Sequence, residues 1–166
     1  MARRPGWEDA FCKYFAVRRR PFVRTAYAIV GSWPVAEDAT QQAFSTLYVH
    51  WPRIRQDTRD AYARRVLVNA CMASFRAVRN ETVTDELPDR GVVDETDDLL
   101  DLRVAMAQLT PRDRAVLTLR FLDDLPVHDV ATILQVAEGT VKSQTSRALI
   151  RLRSHLGTRA AQKETP

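Results

Sequence analysis

Residues 131–153 constrain the fold of this chain more than any other segment. They contain two helical patterns that meet at a tight turn near Gln135. Small and apolar positions on both sides of the turn allow the two helices to pack closely at a steep angle. The segment therefore predicts a helix-turn-helix. Its packing positions are Ala131, Leu134, Val136 and Val141.

The outward face of the second helix carries short polar side chains beside long cations. Short side chains allow a close approach to DNA, and cations reach guanine edges or phosphates. The opposite face is apolar, with Val141, Ala148, Leu149 and Leu152. A solvated basic face on an ordinary helical bundle would give the same pattern, so DNA binding is a hypothesis at this point. The candidate DNA-binding residues are Thr140, Lys142, Ser143, Ser146, Arg147 and Arg151.

Helical periodicity also dominates the remainder of the 166 residues, and strand signals are nearly absent. We therefore predict an all-α fold of two small helical domains joined by an acidic linker, with the helix-turn-helix in the C-terminal domain. The predicted helices before the helix-turn-helix cover residues 7–31, with an interruption at Pro21, and residues 34–50, 61–79, 99–109 and 111–122.

Charge is distributed along the chain in three blocks. Residues 1–79 hold 14 basic and 6 acidic side chains, residues 80–101 hold one basic and nine acidic, and residues 102–166 hold 10 and 6. The basic blocks favour contact with a polyanion. The acidic block is either a solvated linker or a segment that lies in a positive groove of a partner. The predicted units are an N-terminal domain at 1–79, a linker at 80–98, a C-terminal domain at 99–157 and a polar, frayed tail at 158–166.

Several classes of protein are disfavoured by the sequence. No run approaches the roughly 18 apolar residues of a membrane span, and no secretory signal is visible. Cys12 and Cys71 are far apart, which favours reduced, half-buried thiols over a metal site. No Ser/His/Asp, phosphate-loop or metal constellation appears. We therefore expect a cytoplasmic protein without enzymatic activity, cofactor, metal site or membrane insertion.

Four segments resemble the bacterial RNA polymerase sigma factors of the sigma-70 family. Residues 138–153 are similar to the helix-turn-helix that contacts the −35 promoter element, and residues 109–121 to the helix that supports it. Residues 36–44 resemble the family's core-polymerase-binding helix, and residues 62–69 resemble the helix that reads the −10 element. Two domains in direct succession resemble the architecture of the extracytoplasmic-function (ECF) group. The amino-acid sequence of residues 62–69 is similar to that of actinobacterial members of this group.

The resemblance implies an alternative sigma factor that binds core RNA polymerase, at the β′ clamp and the β subunit, and directs promoter-specific initiation. It implies a nucleoid-associated protein, with an anti-sigma factor as a possible further partner. The acidic linker would thread through the polymerase cleft. The six residues above would read −35 duplex DNA. Polymerase contacts would come from Asp38, Gln41 and Phe44, and contacts with melted −10 DNA from Tyr62, Arg65 and Asn69.

Alternatives remain for single residues and for the whole chain. Phe44 could be an ordinary core residue, and Tyr62 and Arg65 could be structural. The chain could be a conventional helix-turn-helix repressor or activator, a class that usually dimerises on two half-sites. No obvious self-association helix is present, and that alternative leaves residues 36–44 unexplained. Gln135 also departs from the family, because it occupies a turn position where left-handed glycine is usual, at a cost of about 1 kcal/mol.

Overall fold

The computed structural model describes residues 6–80 and 96–163, and every regular element within these ranges is helical. The all-α prediction is confirmed. The predicted linker lies largely outside the described residues. No helix in the described ranges is both long enough and apolar enough to cross a membrane.

Three long helices form the N-terminal half. They are α1 (Glu8–Val30), α2 (Trp33–His50) and α3 (Arg59–Asn80). Two short 3₁₀ turns, Trp51–Arg53 and Gln56–Thr58, connect α2 with α3. Both turns lie between the predicted helices at residues 34–50 and 61–79.

The first helix passes through Pro21 without the predicted interruption. Proline has no N–H, so the carbonyl of Val17 loses its intrahelical donor. Val17 is 69 % exposed and Pro21 also faces solvent, which leaves that carbonyl open to water. The prediction of a break was therefore wrong. The helix ends instead at Gly31, whose φ of 77° is the left-handed conformation that glycine adopts most easily.

Four helices form the C-terminal half. They are α4 (Asp97–Ala107), α5 (Pro111–Leu117), α6 (Val127–Leu134) and α7 (Glu138–Lys163). A π-helical turn, Thr118–Leu122, extends α5. Helices α6 and α7 are the predicted helix-turn-helix, and α7 continues into the segment for which the sequence predicts a frayed tail.

Two local predictions in this half are confirmed: the sequence predicts that Thr110 caps the helix starting at Pro111, and that Gln135 occupies the left-handed position of the turn. The Thr110 hydroxyl accepts a hydrogen bond from the backbone N–H of Asp113 (3.2 Å), which caps α5. Gln135 has φ 55° and ψ 47°, so a non-glycine residue occupies the left-handed position of the turn.

The N-terminal half is built around aromatic side chains. Trp51 is 2 % exposed, and its ring centroid lies 5.1 Å from those of both Phe11 and Tyr14. The rings of Phe22 and Phe44 stack at 5.5 Å. These contacts join three elements, because Phe11, Tyr14 and Phe22 lie in α1, Phe44 lies in α2 and Trp51 lies in the turn that follows α2.

The hydrophobic core is shared between the two halves. One continuous cluster of buried side chains contains Phe22, Ile29 and Leu67 from the N-terminal helices together with Leu119 and Val130 from the C-terminal half. A second, smaller cluster lies wholly in the C-terminal half, where Leu109, Leu117 and Ala148 pack together. The helix-turn-helix therefore packs against the first three helices.

Candidate polymerase and nucleic-acid interfaces

The outward face of α7 carries the predicted duplex-binding residues. Val141 and Ala148 are fully buried and hold the opposite face of the helix in the core. The exposed half of the helix surface then follows from 3.6-residue periodicity. Five of the six predicted residues are exposed there without a partner from another helix in the described contacts: Thr140, Lys142, Ser143, Ser146 and Arg147.

Local hydrogen bonds order this exposed face. The Ser143 hydroxyl donates to the Thr140 carbonyl (3.0 Å), and Arg147 Nε donates to the Ser143 carbonyl (3.3 Å). Across the turn, His128 Nδ1 lies 3.3 Å from Glu138 Oε1 and links α6 to the start of α7. The remaining guanidinium N–H groups of Arg147 point to a surface where they can meet an anion.

Arg151 differs from the other five residues. Its Nη1 donates to Asp113 Oδ2 at 2.6 Å, which joins α7 to α5. The Asp113 side chain is 9 % exposed and the Arg151 side chain 53 %. One edge of the guanidinium therefore holds two helices together, while the other edge remains accessible to solvent.

The three residues predicted to contact the −10 element lie together in a groove between α2 and α3. The groove has a volume of about 320 Å³, large enough for part of a nucleotide. The Arg65 guanidinium carbon lies 5.1 Å from the centroid of the Tyr62 ring, a cation–π arrangement. Asn69 is exposed one to two turns further along the same helix. The structure thus brings an aromatic ring, a cation and an amide to one concave surface.

Contacts at the start of α3 fix this groove to α1. The Tyr14 hydroxyl donates to Asp60 Oδ1 (2.9 Å), and Arg18 forms an ion pair with the same carboxylate. Burial raises the pKa of Tyr14 above its ordinary value, and the hydrogen bond to Asp60 adds to the shift. The Arg59 guanidinium lies 4.1 Å from the centroid of the Trp51 ring. The aromatic core therefore sets the position of the first turn of α3.

A second and larger groove, of about 730 Å³, lies between α1 and α2. Asp38 and Gln41 are exposed on its wall. Phe44 also lines it but is only 4 % exposed, because its ring packs 4.7 Å from the centroid of Phe15. The predicted set therefore shares one groove, with Phe44 forming its floor. Exposed apolar side chains that sequence reasoning did not select complete the rim: Phe15, Tyr48 and Val49.

Helix α2 thus serves two different grooves with neighbouring residues. Gln41 faces the groove shared with α1, whereas Gln42 lines the groove shared with α3, together with Thr46. The Thr46 hydroxyl donates to the backbone carbonyl of Gln42 (3.1 Å), which leaves the Gln42 amide as the exposed polar group. The sequence does not assign Gln42 or Thr46 to this groove, and Gln42 was interpreted from the sequence only as a residue of the polymerase-binding helix. Helical spacing alone cannot tell which neighbouring helix each face of α2 packs against.

Two family models match the chain. The model for sigma-70 region 2 matches residues 15–81, which cover most of α1 and all of α2 and α3. The model for sigma-70 region 4 matches residues 99–152, which include α5, α6 and much of α7. The α2–α3 groove and the exposed face of α7 lie within the matched residues, and so does the α1–α2 groove apart from Phe11. The class is that of a bacterial sigma factor with regions 2 and 4.

Individual relatives narrow this class. An RNA polymerase sigma-E factor of Streptomyces antibioticus is 38% identical over 148 residues, which are 86% of this chain and 82% of that protein. The ECF RNA polymerase sigma factor SigL of Mycobacterium tuberculosis is 31% identical over 140 residues, 78% of this chain and 79% of that protein. The sigma factor RpoE of Bartonella quintana, solved with the anti-sigma factor NepR, has the same fold (TM-score 0.77, 21% identity, covering 89% of this chain and 97% of that one). The chain therefore belongs to the sigma-70 family, in the ECF group of alternative sigma factors, which direct transcription initiation.

Proposed function

We propose that this sigma factor uses three separate surfaces: the α1–α2 groove for core RNA polymerase, the α2–α3 groove for melted −10 DNA, and the exposed face of α7 for −35 duplex DNA. The observation that carries the proposal is that the three predicted residue sets fall on these three surfaces. Residues 1–79 and 99–157 act as the two functional units. The protein contributes no catalytic group, and it works in the cytoplasm at the nucleoid.

The α1–α2 groove suits a helical protein partner. Its exposed apolar side chains, Phe15, Tyr48 and Val49, provide area that a partner helix can cover. Asp38 and Gln41 supply polar contacts that fix the register of that helix. Phe44 supports the groove from beneath, since its ring is committed to the core. The β′ clamp of the polymerase is the proposed partner, with the β subunit as a second contact.

The α2–α3 groove suits an unstacked base. An aromatic ring such as Tyr62 stacks on a base, and Arg65 neutralises a neighbouring phosphate. Asn69 and Gln42 offer amide donors and acceptors for a base edge. Unstacked bases are read by this combination of stacking and hydrogen bonds. The groove therefore supports recognition of one promoter strand after melting.

The exposed face of α7 suits the major groove. Lys142 and Arg147 supply the long cations, and Thr140, Ser143 and Ser146 permit close approach. Arg151 braces α7 against α5 through Asp113, and its free edge adds a phosphate contact. Duplex affinity should depend most on Arg147.

Neighbouring glutamines on α2 provide the sharpest test of this division. Gln41→Ala should weaken binding to core polymerase several-fold, whereas Gln42→Ala should leave core affinity unchanged and slow promoter opening. Core affinity is measured by titration of labelled sigma factor, and opening by permanganate reactivity of −10 thymines in the holoenzyme. Equal effects of both variants on core affinity would exclude separate roles for the two grooves.

Two further variants separate duplex binding from opening. Arg147→Ala should weaken binding of −35 duplex by about 1–3 kcal/mol, with the exposed Arg112→Ala as a control of equal charge. Asn69→Ala should spare duplex binding and reduce open complexes. Run-off transcription with purified core polymerase reports the combined result. A wild-type protein that neither binds core nor initiates at any promoter, yet binds a palindromic duplex as a dimer, would support a conventional repressor or activator.

An anti-sigma factor is a further proposed partner. The support is the solved Bartonella quintana relative, which was crystallised with one. Co-purification of the wild-type chain with the product of a neighbouring gene tests this point, and competition of that product with core polymerase would establish its role.

A further inference from the structure

A basic stripe runs along the outer face of α1. Its members are Lys13, Val17, Arg20 and Arg24, at intervals of four, three and four residues. Because an α-helix turns once every 3.6 residues, these positions lie within about 40° of one another around the helix. All four side chains are exposed. The α1 stripe therefore presents three cations to solvent along roughly 16 Å of helix, at about 1.5 Å per residue.

The α1 stripe lies opposite the face that α1 buries. Phe22 is 1 % exposed and marks the direction of the core. Arg20 and Arg24 each lie two residues from Phe22, which places them about 200° around the helix. Among the described residues, those that line the α1–α2 and α2–α3 grooves include no member of the stripe. The stripe is therefore a surface separate from both grooves.

The other cations of α1 have different roles. The helix carries five basic side chains. Arg18 forms an ion pair with Asp60, and Arg19 lines the α1–α2 groove. The remaining three belong to the α1 stripe, and none of them forms an ion pair with any residue that the structure describes. Their charge is not neutralised within this part of the chain.

Acidic side chains close to the α1 stripe are few or already engaged. The two acids of α1, Glu8 and Asp9, are confined to its first turn. Asp123 of the C-terminal half also reaches α1, beside the end of the stripe. Its carboxylate accepts a hydrogen bond from the Thr25 hydroxyl (2.7 Å) and forms an ion pair with Arg64 of α3. The stripe therefore keeps its positive charge.

The stability of helix α1 does not explain these cations. Arg20 and Arg24 stand about one turn apart, where two like charges destabilise a helix. The helix dipole favours cations in the last turn, but the last turn of α1 contains no basic residue. A row of cations that costs stability and has no internal partner suits a polyanion that binds from outside.

The composition of the α1 stripe favours duplex DNA among polyanions. The stripe has no aromatic side chain on which an unpaired base could stack, which disfavours a single strand. Its one apolar member is Val17, whereas Phe22 and Ile29 of the same helix are buried in the core. It therefore lacks the apolar area with which a helix enters a membrane surface. A straight row of long cations suits a duplex, which carries one charge per about 1.7 Å of its axis.

We propose that the α1 stripe binds the phosphate backbone of duplex DNA without regard to sequence, as a DNA contact separate from the two promoter-reading surfaces. Such a contact requires positive charge and reach but no recognition of base edges. It gives the free protein an affinity for any duplex, and this affinity falls with salt because phosphate contacts release counterions. The contact does not depend on polymerase.

The test removes two cations of the α1 stripe from the full-length protein. The stripe variant carries Arg20→Ala and Arg24→Ala, and the control variant carries Arg76→Ala and Arg112→Ala, two exposed positions on α3 and α5. Both variants lose the same charge and keep the cations of α7, so these effects cancel in the comparison. Circular dichroism should show equal helix content. Fluorescence anisotropy then follows binding to a labelled duplex without promoter elements, between about 50 and 200 mM salt.

The expected result is a change in salt dependence for the stripe variant alone. Two lost phosphate contacts should lower the slope of log affinity against log salt concentration by about 1.8, at about 0.9 per contact. The advantage of wild type over the stripe variant should then shrink about twelvefold across that range. The control variant should keep the wild-type slope. A stripe variant with the slope of the control, or a wild type that binds no duplex, would overturn the proposal.

Two further outcomes separate this proposal from its neighbours. If the stripe variant binds duplex like the control but loses binding to phosphatidylglycerol vesicles, the stripe belongs to a membrane surface and the DNA contact is excluded. If wild type shows the expected salt dependence but fails to bind core polymerase, the proposed function fails while the α1 contact stands.

Discussion

The two halves of the molecule are stabilised in different ways. In the N-terminal half, rings from α1, α2 and the turn before α3 form one aromatic core around Trp51. The C-terminal half has only a small aliphatic cluster of its own within the described residues, and the rest of its buried surface faces the N-terminal helices. The half that carries the helix-turn-helix therefore depends on its neighbour for much of its packing.

The largest effect is expected in the aromatic core. Trp51→Ala should lower the free energy of unfolding by about 3–5 kcal/mol, because it removes a large buried side chain that packs against two rings of α1 and holds Arg59 of α3. Urea denaturation followed by circular dichroism measures the change. A loss below about 1 kcal/mol would show that the N-terminal half does not depend on this ring.

A smaller effect is expected in the aliphatic cluster of the C-terminal half. Leu117→Ala should cost about 2–3 kcal/mol, near the low end for buried leucine, because its cluster is small and can relax around the cavity. The same denaturation experiment compares it directly with Trp51→Ala. If the leucine variant proved the more damaging of the two, the proposed difference between the halves would be reversed.

A gain of stability is expected at the turn of the helix-turn-helix. Gln135→Gly should stabilise the protein by about 0.5–1 kcal/mol, since glycine adopts the observed φ of 55° without strain from a Cβ atom. Gln135→Ala is the matched control and should give no gain. Thermal unfolding midpoints distinguish these results, and equal midpoints for the glycine and alanine variants would argue against backbone strain.

The smallest effect on the fold is expected from chemical modification of the two cysteines. The sequence predicts that both thiols are half-buried, and this prediction was wrong. Cys12 is exposed and Cys71 is buried within the shared core. Burial raises the pKa of the Cys71 thiol to about 12, so at pH 8 it stays protonated and lacks the reactive thiolate. Iodoacetamide at that pH should modify one thiol per folded chain and two in urea, as counted by mass spectrometry. A Cys12→Ser variant that still reacts while folded would contradict this burial.

Much of the fold could be predicted from local sequence patterns. The ends of α2 near Pro34 and His50, the Thr110 cap and the left-handed Gln135 all depend on residues close together in the chain. The exposed side of α7 could also be predicted from the sequence, because 3.6-residue periodicity separates its polar and apolar positions. The break at Pro21 was predicted wrongly, since the propensity of proline does not reveal that the affected carbonyl faces solvent.

The sequence by itself determined that this chain is helical, that it carries a helix-turn-helix and that its motifs are those of a sigma factor. The first two properties follow from spacing along single helices, and the third follows from the resemblance of four segments to that family. The tertiary structure alone decided that Gln41 and Gln42 face different grooves, that Arg151 pairs with Asp113 and that Asp123 joins two N-terminal helices. The physical reason is that each of these contacts depends on which helix faces are packed together, and that choice is made by the burial of the whole shared core.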